Sequence, residues 1–289
     1  MSDPMKIDGD TMIEKLGGLH WFWVGAVILV LIFIPLVIPL NLPISTTQWT
    51  HDAVDAIQDV PSNKIVVWED NWGMGALAEA EVGHVALMRI LLKNNVKFVM
   101  VALGEDTPLL HAYISDLVAK SPEAVGKTYG KDWAQMGFLP GGEGALSLMA
   151  EDFHATFGKD FDGTSLSSLP IMNNLHDSND IGLVITGSPS QTWVEAPVRQ
   201  WYTKYNIPLV SYTLTGGTVL SGTYYPNNGI LGIIEGSTGG AELEYIGKVP
   251  GNGARISDAK TLAYLATAAF IVIGNISYFG SKKNKGGTS

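Results

Sequence analysis

Two runs of this chain hold no charged residue, and they constrain its fold more than any other feature. The first is Trp21 to Leu40, WFWVGAVILVLIFIPLVIPL. An α-helix rises about 1.5 Å per residue, so 20 residues match a hydrocarbon core of roughly 30 Å. Trp21 and Trp23 suit the interface at one end, and Pro35 and Pro39 kink or end the helix at the other. The alternative of a cleaved signal peptide fits less well, because the apolar run is long and no A-x-A site follows it. The second run, Thr261 to Phe279, is less apolar and contains Gly274 and Asn275. A buried core helix competes with a span here. The basic flank GSKKNK favours the span.

Charge sets the expected orientation. Lys6 and Lys15 precede the first run, and Lys282, Lys283 and Lys285 follow the second. Positive residues prefer the cytoplasmic side, so both termini are expected inside and the intervening domain outside. The expected division is a cytoplasmic segment 1–20, a first span 21–40, a juxtamembrane segment 41–62, an α/β domain 63–258, a second span 259–280 and a basic tail 281–289. The expected localisation is therefore an integral protein of the cell membrane, with the lipid bilayer as its first partner.

Between the runs the chain is acidic. Residues 41–260 carry 13 basic and 24 acidic residues. Such a domain repels phosphate backbones, which excludes a nucleic-acid partner. There is no cysteine, so disulfides, thiolate catalysis and cysteine-bound metals are excluded as well.

The middle region alternates short apolar runs with helical patterns. Trp49 to Ile57 reads as a short amphipathic helix just beyond the membrane. Strands are expected over 64–68, 96–103, 132–138, 181–186 and 207–212, with helices over 75–94, 107–120, 144–157 and 191–205. A glycine-rich segment, 216–240, closes the domain with one or two short helices. Near-continuous apolar strands between helices indicate a mainly parallel sheet covered on both faces. The expected fold class is α/β, a Rossmann-like or flavodoxin-like sheet of about five strands flanked by two transmembrane helices. Ligands of such sheets sit beyond the carboxyl ends of the strands.

The residues after those strands are therefore the candidate site: Glu69, Asp70 and Trp72, then Glu105 and Asp106, then Glu143, then Ser188. Five carboxylates on one rim would suit magnesium or calcium, although Asp and Glu are also ordinary loop residues. No DxDxDG, HExxH or P-loop pattern supports a metal or nucleotide, and no cofactor is expected. His84 and His111 fall on helical faces, where they read as surface or core residues. Trp68, Trp72 and Trp193 read equally as a binding wall or as core. Ser221, in IPLVSYTLTGGTVLSGTYY, has the rhythm of membrane-bound signal-peptide peptidases, but no lysine base is placed for it in a recognisable motif.

The stretch Tyr129 to Glu143, YGKDWAQMGFLPGGE, together with the two apolar runs and the LPIST lead-in, resembles an uncharacterised group of prokaryotic two-span membrane proteins. That resemblance implies an α/β domain between two spans and no particular activity. Three functions are compatible with the sequence. The first is a non-catalytic accessory or scaffold subunit that docks other membrane subunits or further copies of itself. The second is a membrane-tethered receptor for a small ligand or cation. The third is a serine hydrolase acting through Ser221.

Overall fold

The computed structural model describes residues 21–190 and 192–285. The expected segment 1–20, with Lys6 and Lys15, lies outside the described residues, as do the side chains of Lys282, Lys283 and Lys285. The chain divides into two compact units. One comprises residues 44–253, and the other brings the stretch before residue 44 together with the stretch after 253.

The larger unit is an α/β domain. Its elements run α2 (Gln48–Gln58), β1 (Ile65–Asp70), α3 (Leu77–Lys93), β2 (Phe98–Ala102), α4 (Thr107–Val118), β3 (Trp133–Phe138), α5 (Glu143–Glu151), α6 (Phe153–Thr156) and β4 (Ile181–Ser188). Then come α7 (Glu195–Pro197), which passes into a π-helical turn over Val198–Thr203, β5 (Leu209–Thr213), α8 (Thr215–Tyr224), β6 (Ile230–Glu235) and α9 (Gly236–Ile246). All six strands are parallel, in the order β3-β2-β1-β4-β5-β6. Strand order therefore reverses between β1 and β4, the place where doubly wound sheets form their crevice.

Side chains alternate across the sheet. Val66 and Trp68 face a core shared with Ala53 and Ile57 of α2, Leu87 and Leu91 of α3, Ile114 of α4 and Leu243 of α9. Ile65 and Val67 face the other core, with Leu146 and Met149 of α5, Phe153 of α6 and Trp201 of the π-helical turn.

Two expectations are corrected. The sheet has six strands, not five. The missed strand, β6, lies inside the glycine-rich segment, where its short apolar run is bracketed by glycines. Helix α2 is also no mere juxtamembrane lead-in but part of the domain, seated on β6. A Cβ on Gly232 would lie 2.3 Å from the Ala53 backbone nitrogen and 2.4 Å from its Cα.

The smaller unit holds both apolar helices. α1 spans Trp21–Val37, 17 residues, and contains Pro35. This described part is about 25 Å long and begins at the first described residue. α10 runs from Gly253 to Lys285, and its stretch Gly253–Phe279 is long and apolar enough to cross a membrane by length and composition. This helix starts ahead of the expected boundary at 259 and takes Arg255, Asp258 and Lys260 into its first turns. Asp258 is buried. Its carboxylate accepts the backbone N–H of Leu40 (2.8 Å), Asn41 (3.0 Å) and Leu42 (3.0 Å). Asn41 takes a left-handed φ of 54°, which helps to turn consecutive N–H groups toward one anion. The segment after α1 is thereby fastened to the start of α10.

Gly232→Ala is expected to destabilise the α/β domain by about 1–3 kcal/mol, because α2 must lift from β6 to admit a methyl group. Urea unfolding of the full chain in detergent, followed by tryptophan fluorescence, measures this. An unchanged midpoint would contradict the packing of α2 on the sheet.

Candidate functional site

Strands β1 and β4 each run two residues past their expected ends, and this decides where the candidate residues lie. Glu69 and Asp70 close β1 instead of occupying a loop. Because neighbouring strand residues point to opposite faces, the two carboxyls part company. Both are fully buried.

Asp70 turns toward α3 and α4. His84 Nε2 lies 2.7 Å and His111 Nε2 2.9 Å from the same oxygen, Oδ2. The Trp72 backbone N–H donates to Oδ1 at 3.2 Å. His84 Nδ1 lies 2.8 Å from the Ala80 carbonyl, which only accepts, so this nitrogen carries a proton. Burial alone would raise the Asp70 pKa. The charge on His84 and the hydrogen bonds from both imidazoles outweigh it and hold the carboxyl down at about 2. Burial pushes His111 down, against the pull of Asp70. His111 Nδ1 has no partner among the described residues.

Aromatic rings enclose the pair. Trp68 stacks on His84 with centroids 5.2 Å apart, and Tyr212 lies 5.0 Å from it. Trp72 stacks on Tyr212 at 5.0 Å and donates its indole N–H to the Tyr212 carbonyl. Room for the Asp70 carboxylate depends on Gly187, directly opposite on β4. A Cβ there would stand 2.3 Å from Asp70 Oδ1. The Asp70 carboxylate is buried and its oxygens are already taken by two imidazoles and a backbone N–H, so this cluster is an internal electrostatic anchor.

Glu69 turns to the opposite face, beside Thr186 of β4. Burial pushes its pKa up to about 8. Thr186 and Trp193 oppose that shift, and the charge of Asp70 adds to it. Thr186 and Trp193 stand near the carboxyl, yet neither closes a hydrogen bond. Both Glu69 oxygens, Thr186 Oγ1, Trp193 Nε1 and, further along, Thr213 Oγ1 are buried without partners among the described residues. Ser188 and Thr213 are paired across β4 and β5 on this same face. Ser188 Oγ accepts the Ser190 N–H at 3.0 Å. Adjacent carboxyls thus hold different protonation states at neutral pH, Asp70 ionised and Glu69 neutral. That is how a fold separates acid from base.

The expected ring of five carboxylates does not form. Glu69 and Asp70 are split by the sheet. Glu105 and Asp106 are exposed, and Asp106 accepts the Met74 N–H at 2.9 Å at the N-cap position of α4. Glu143 opens α5, bonds Arg199 (2.9 Å) and Gln200 (2.7 Å), and is held down at about 2, chiefly by Arg199. No three His, Asp or Glu residues among those described are grouped to hold a metal ion. Trp72 is buried and belongs to the core, not to a rim wall. Ser221 is buried too, its hydroxyl 2.9 Å from Ser211 Oγ.

The sequence singled out neither Thr186 nor Tyr212, and it marked His84 and His111 as surface or core residues without a partner. A signal for the histidines existed. His84 stands among Ala80, Leu87 and Leu91, and His111 among Leu110, Ile114 and Val118, which are core positions of their helices. A histidine in an apolar stripe needs a buried partner. No family model, curated protein or solved structure matches the chain.

Asp70→Asn is expected to cost about 3–5 kcal/mol, since it leaves His84 without its counter-charge. The pH dependence has two opposite limbs. The folded pKa of Asp70 lies below its unfolded value of about 3.9, so its contribution is present above that pH and fades as pH falls toward about 2. The folded pKa of Glu69 is raised, so its contribution is complete below about 4.3 and is lost as pH rises toward about 8. Unfolding free energies at about pH 2.5 and pH 5 check the Asp70 limb, and those at pH 5 and pH 8 check the Glu69 limb. Glu69→Gln is expected to flatten the decline between those values, and a variant that follows wild type would refute the assignment.

Proposed function

We propose that the α/β domain is a small-ligand receptor module, tethered to a membrane by its apolar helices, and that the ligand enters the crevice between the carboxyl ends of β1 and β4. One observation carries this reading. The buried, unpartnered polar atoms Glu69 Oε1 and Oε2, Thr186 Oγ1 and Trp193 Nε1 collect at the strand-order reversal. A buried polar group without a partner costs about 1–3 kcal/mol, so several in one place constitute a cost that a polar ligand would relieve. Position supports the same reading, because sheets of this order bind ligands at that crevice.

Two spans, both termini inside, remain part of the proposal. α10 supplies one helix of sufficient length, and α1 crosses if the Ser- and Thr-poor segment to Leu40 continues into the interface. A docking role toward other membrane subunits rests on those helices alone and names no site, whereas the receptor reading names one.

The full chain in detergent, screened by thermal shift against small polar metabolites near neutral pH, tests ligand binding. A ligand at a hundred times its Kd should raise Tm by about 5–10 °C. Thr186→Val should lower that shift. A panel that leaves Tm unmoved would remove the support for a receptor.

Topology is tested separately. Protease added outside sealed right-side-out vesicles should cut the α/β domain and spare tags on both termini. Loss of the tags together with the domain would overturn the orientation.

A further inference from the structure

The chemistry around Glu69 specifies more than a crevice. Glu69 is fully buried, and neither of its oxygens closes a hydrogen bond among the described residues, although Thr186 and Trp193 lie near enough to act on its charge. Asp70, Asp106 and Glu143 are already satisfied, and Glu105 is exposed to solvent. Asp70 has two imidazoles and a backbone N–H, Glu143 has Arg199 and Gln200, and Asp106 has the Met74 N–H. The groups nearest Glu69 are a hydroxyl, Thr186 Oγ1, and the indole of Trp193. The one charged group that bears on it is Asp70, an anion on the far side of β1. No lysine, arginine or histidine faces it among the described residues that act on its charge.

Resting on the receptor reading, we propose that the ligand of this crevice is a small organic ammonium, its charged nitrogen seated against Glu69 and Thr186. An ammonium brings three N–H donors and no acceptor. The carboxylate oxygens and the Thr186 hydroxyl are the acceptors within this pocket. The remainder of the ligand extends toward Ser188 and Thr213, the polar pair that continues the strip across β4 and β5. Thr213 Oγ1 is itself unpartnered and 2% of Thr213 is exposed, so that end of the strip also seeks a polar group. The acidic domain as a whole steers cations inward.

Binding an ammonium requires Glu69 to ionise, so one proton leaves as the ligand enters. The proton comes from the Glu69 carboxyl and passes to solvent, and no other bond changes. With the free carboxyl at about 8, affinity should rise about tenfold per pH unit below that value and level off above it.

Isothermal titration of the full chain in nanodiscs tests this, with methylammonium, ethanolamine and putrescine chlorides as probes. Glycerol, sodium acetate and potassium chloride at equal ionic strength are the comparisons. The expected result is heat and a Tm rise with the amines, stronger at pH 8 than at pH 6.5. Titrations in two buffers of different ionisation enthalpy should report the release of one proton. Glu69→Gln should weaken the amines at least tenfold while its circular dichroism stays that of wild type. If Glu69→Gln fails to fold, the proton release on the wild-type chain still decides. Amine binding without proton release, or undiminished in a folded Glu69→Gln, would overturn the proposal. Binding of glycerol or acetate with silent amines would overturn the ammonium and leave the crevice as a ligand site. Potassium binding equal to the amines would replace the organic ammonium with an inorganic cation. Silence of every probe would overturn the ammonium and, with a blank metabolite screen, the receptor reading too.

Discussion

A carboxylate can be sealed inside a protein only where donors surround it, and Asp70 has three. Two are imidazoles, delivered by different helices to one oxygen. His84 comes from α3 and His111 from α4, so the end of β1 is fastened to two of the helices on that face. Losing either partner would leave a charge in a medium that cannot hydrate it. The aromatic shell of Trp68, Trp72 and Tyr212 excludes water and so strengthens each of these bonds. Gly187 on β4 is the remaining condition, because a methyl group there would occupy the place of the carboxylate.

That anchor shapes its neighbour. Since Asp70 must face α3 and α4, strand geometry sends Glu69 to the opposite face, into a place with no cation. The charge held on Asp70 then adds to burial in keeping Glu69 protonated. The polarity of the crevice is thus a consequence of the anchor across the sheet. A substitution that released Asp70 would alter Glu69 without touching it. The double variant Asp70→Asn with Glu69→Gln would accordingly show coupling between residues whose side chains never meet.

Much of this architecture can be read from residues alone, and the failures have definite causes. KIVVW, VKFVMVAL and IGLVIT are continuous apolar runs, and each became a parallel strand buried on both faces. β6 escaped because ILGIIE lies among glycines that equally signal turns. The candidate residues do lie at the carboxyl end of the sheet, but their grouping differs from the one expected. Polar character at Glu69, Asp70 and Ser188 resembles loop sequence, whereas the ladder holds these residues in strands through Glu69↔Thr186 and Ser188↔Thr213. Two residues of added strand length converted a supposed rim of five acids into one buried anion, one buried neutral acid and three surface carboxyls. The histidines fall in the core, one of the two places expected for them, but their partner was not foreseen. Their helical positions were legible, but the partner that makes a core histidine useful lies 14 and 41 residues away in sequence.

The smaller unit follows the same rule that decides Asp70. Asp258 is another buried carboxylate, and it too is kept by donors from a distant part of the chain, the three N–H groups of Leu40, Asn41 and Leu42. These groups follow the end of α1, where Pro39 prevents the helix from continuing. Backbone N–H groups that leave a helix must find acceptors elsewhere. Asp258 provides them from the first turns of α10. In both units, then, a charge that looks misplaced in the sequence marks the point where separate segments are tied together. Glu69 is the buried carboxyl at the strand ends to which the chain supplies no such tie, and for that reason it is the one a ligand can complete.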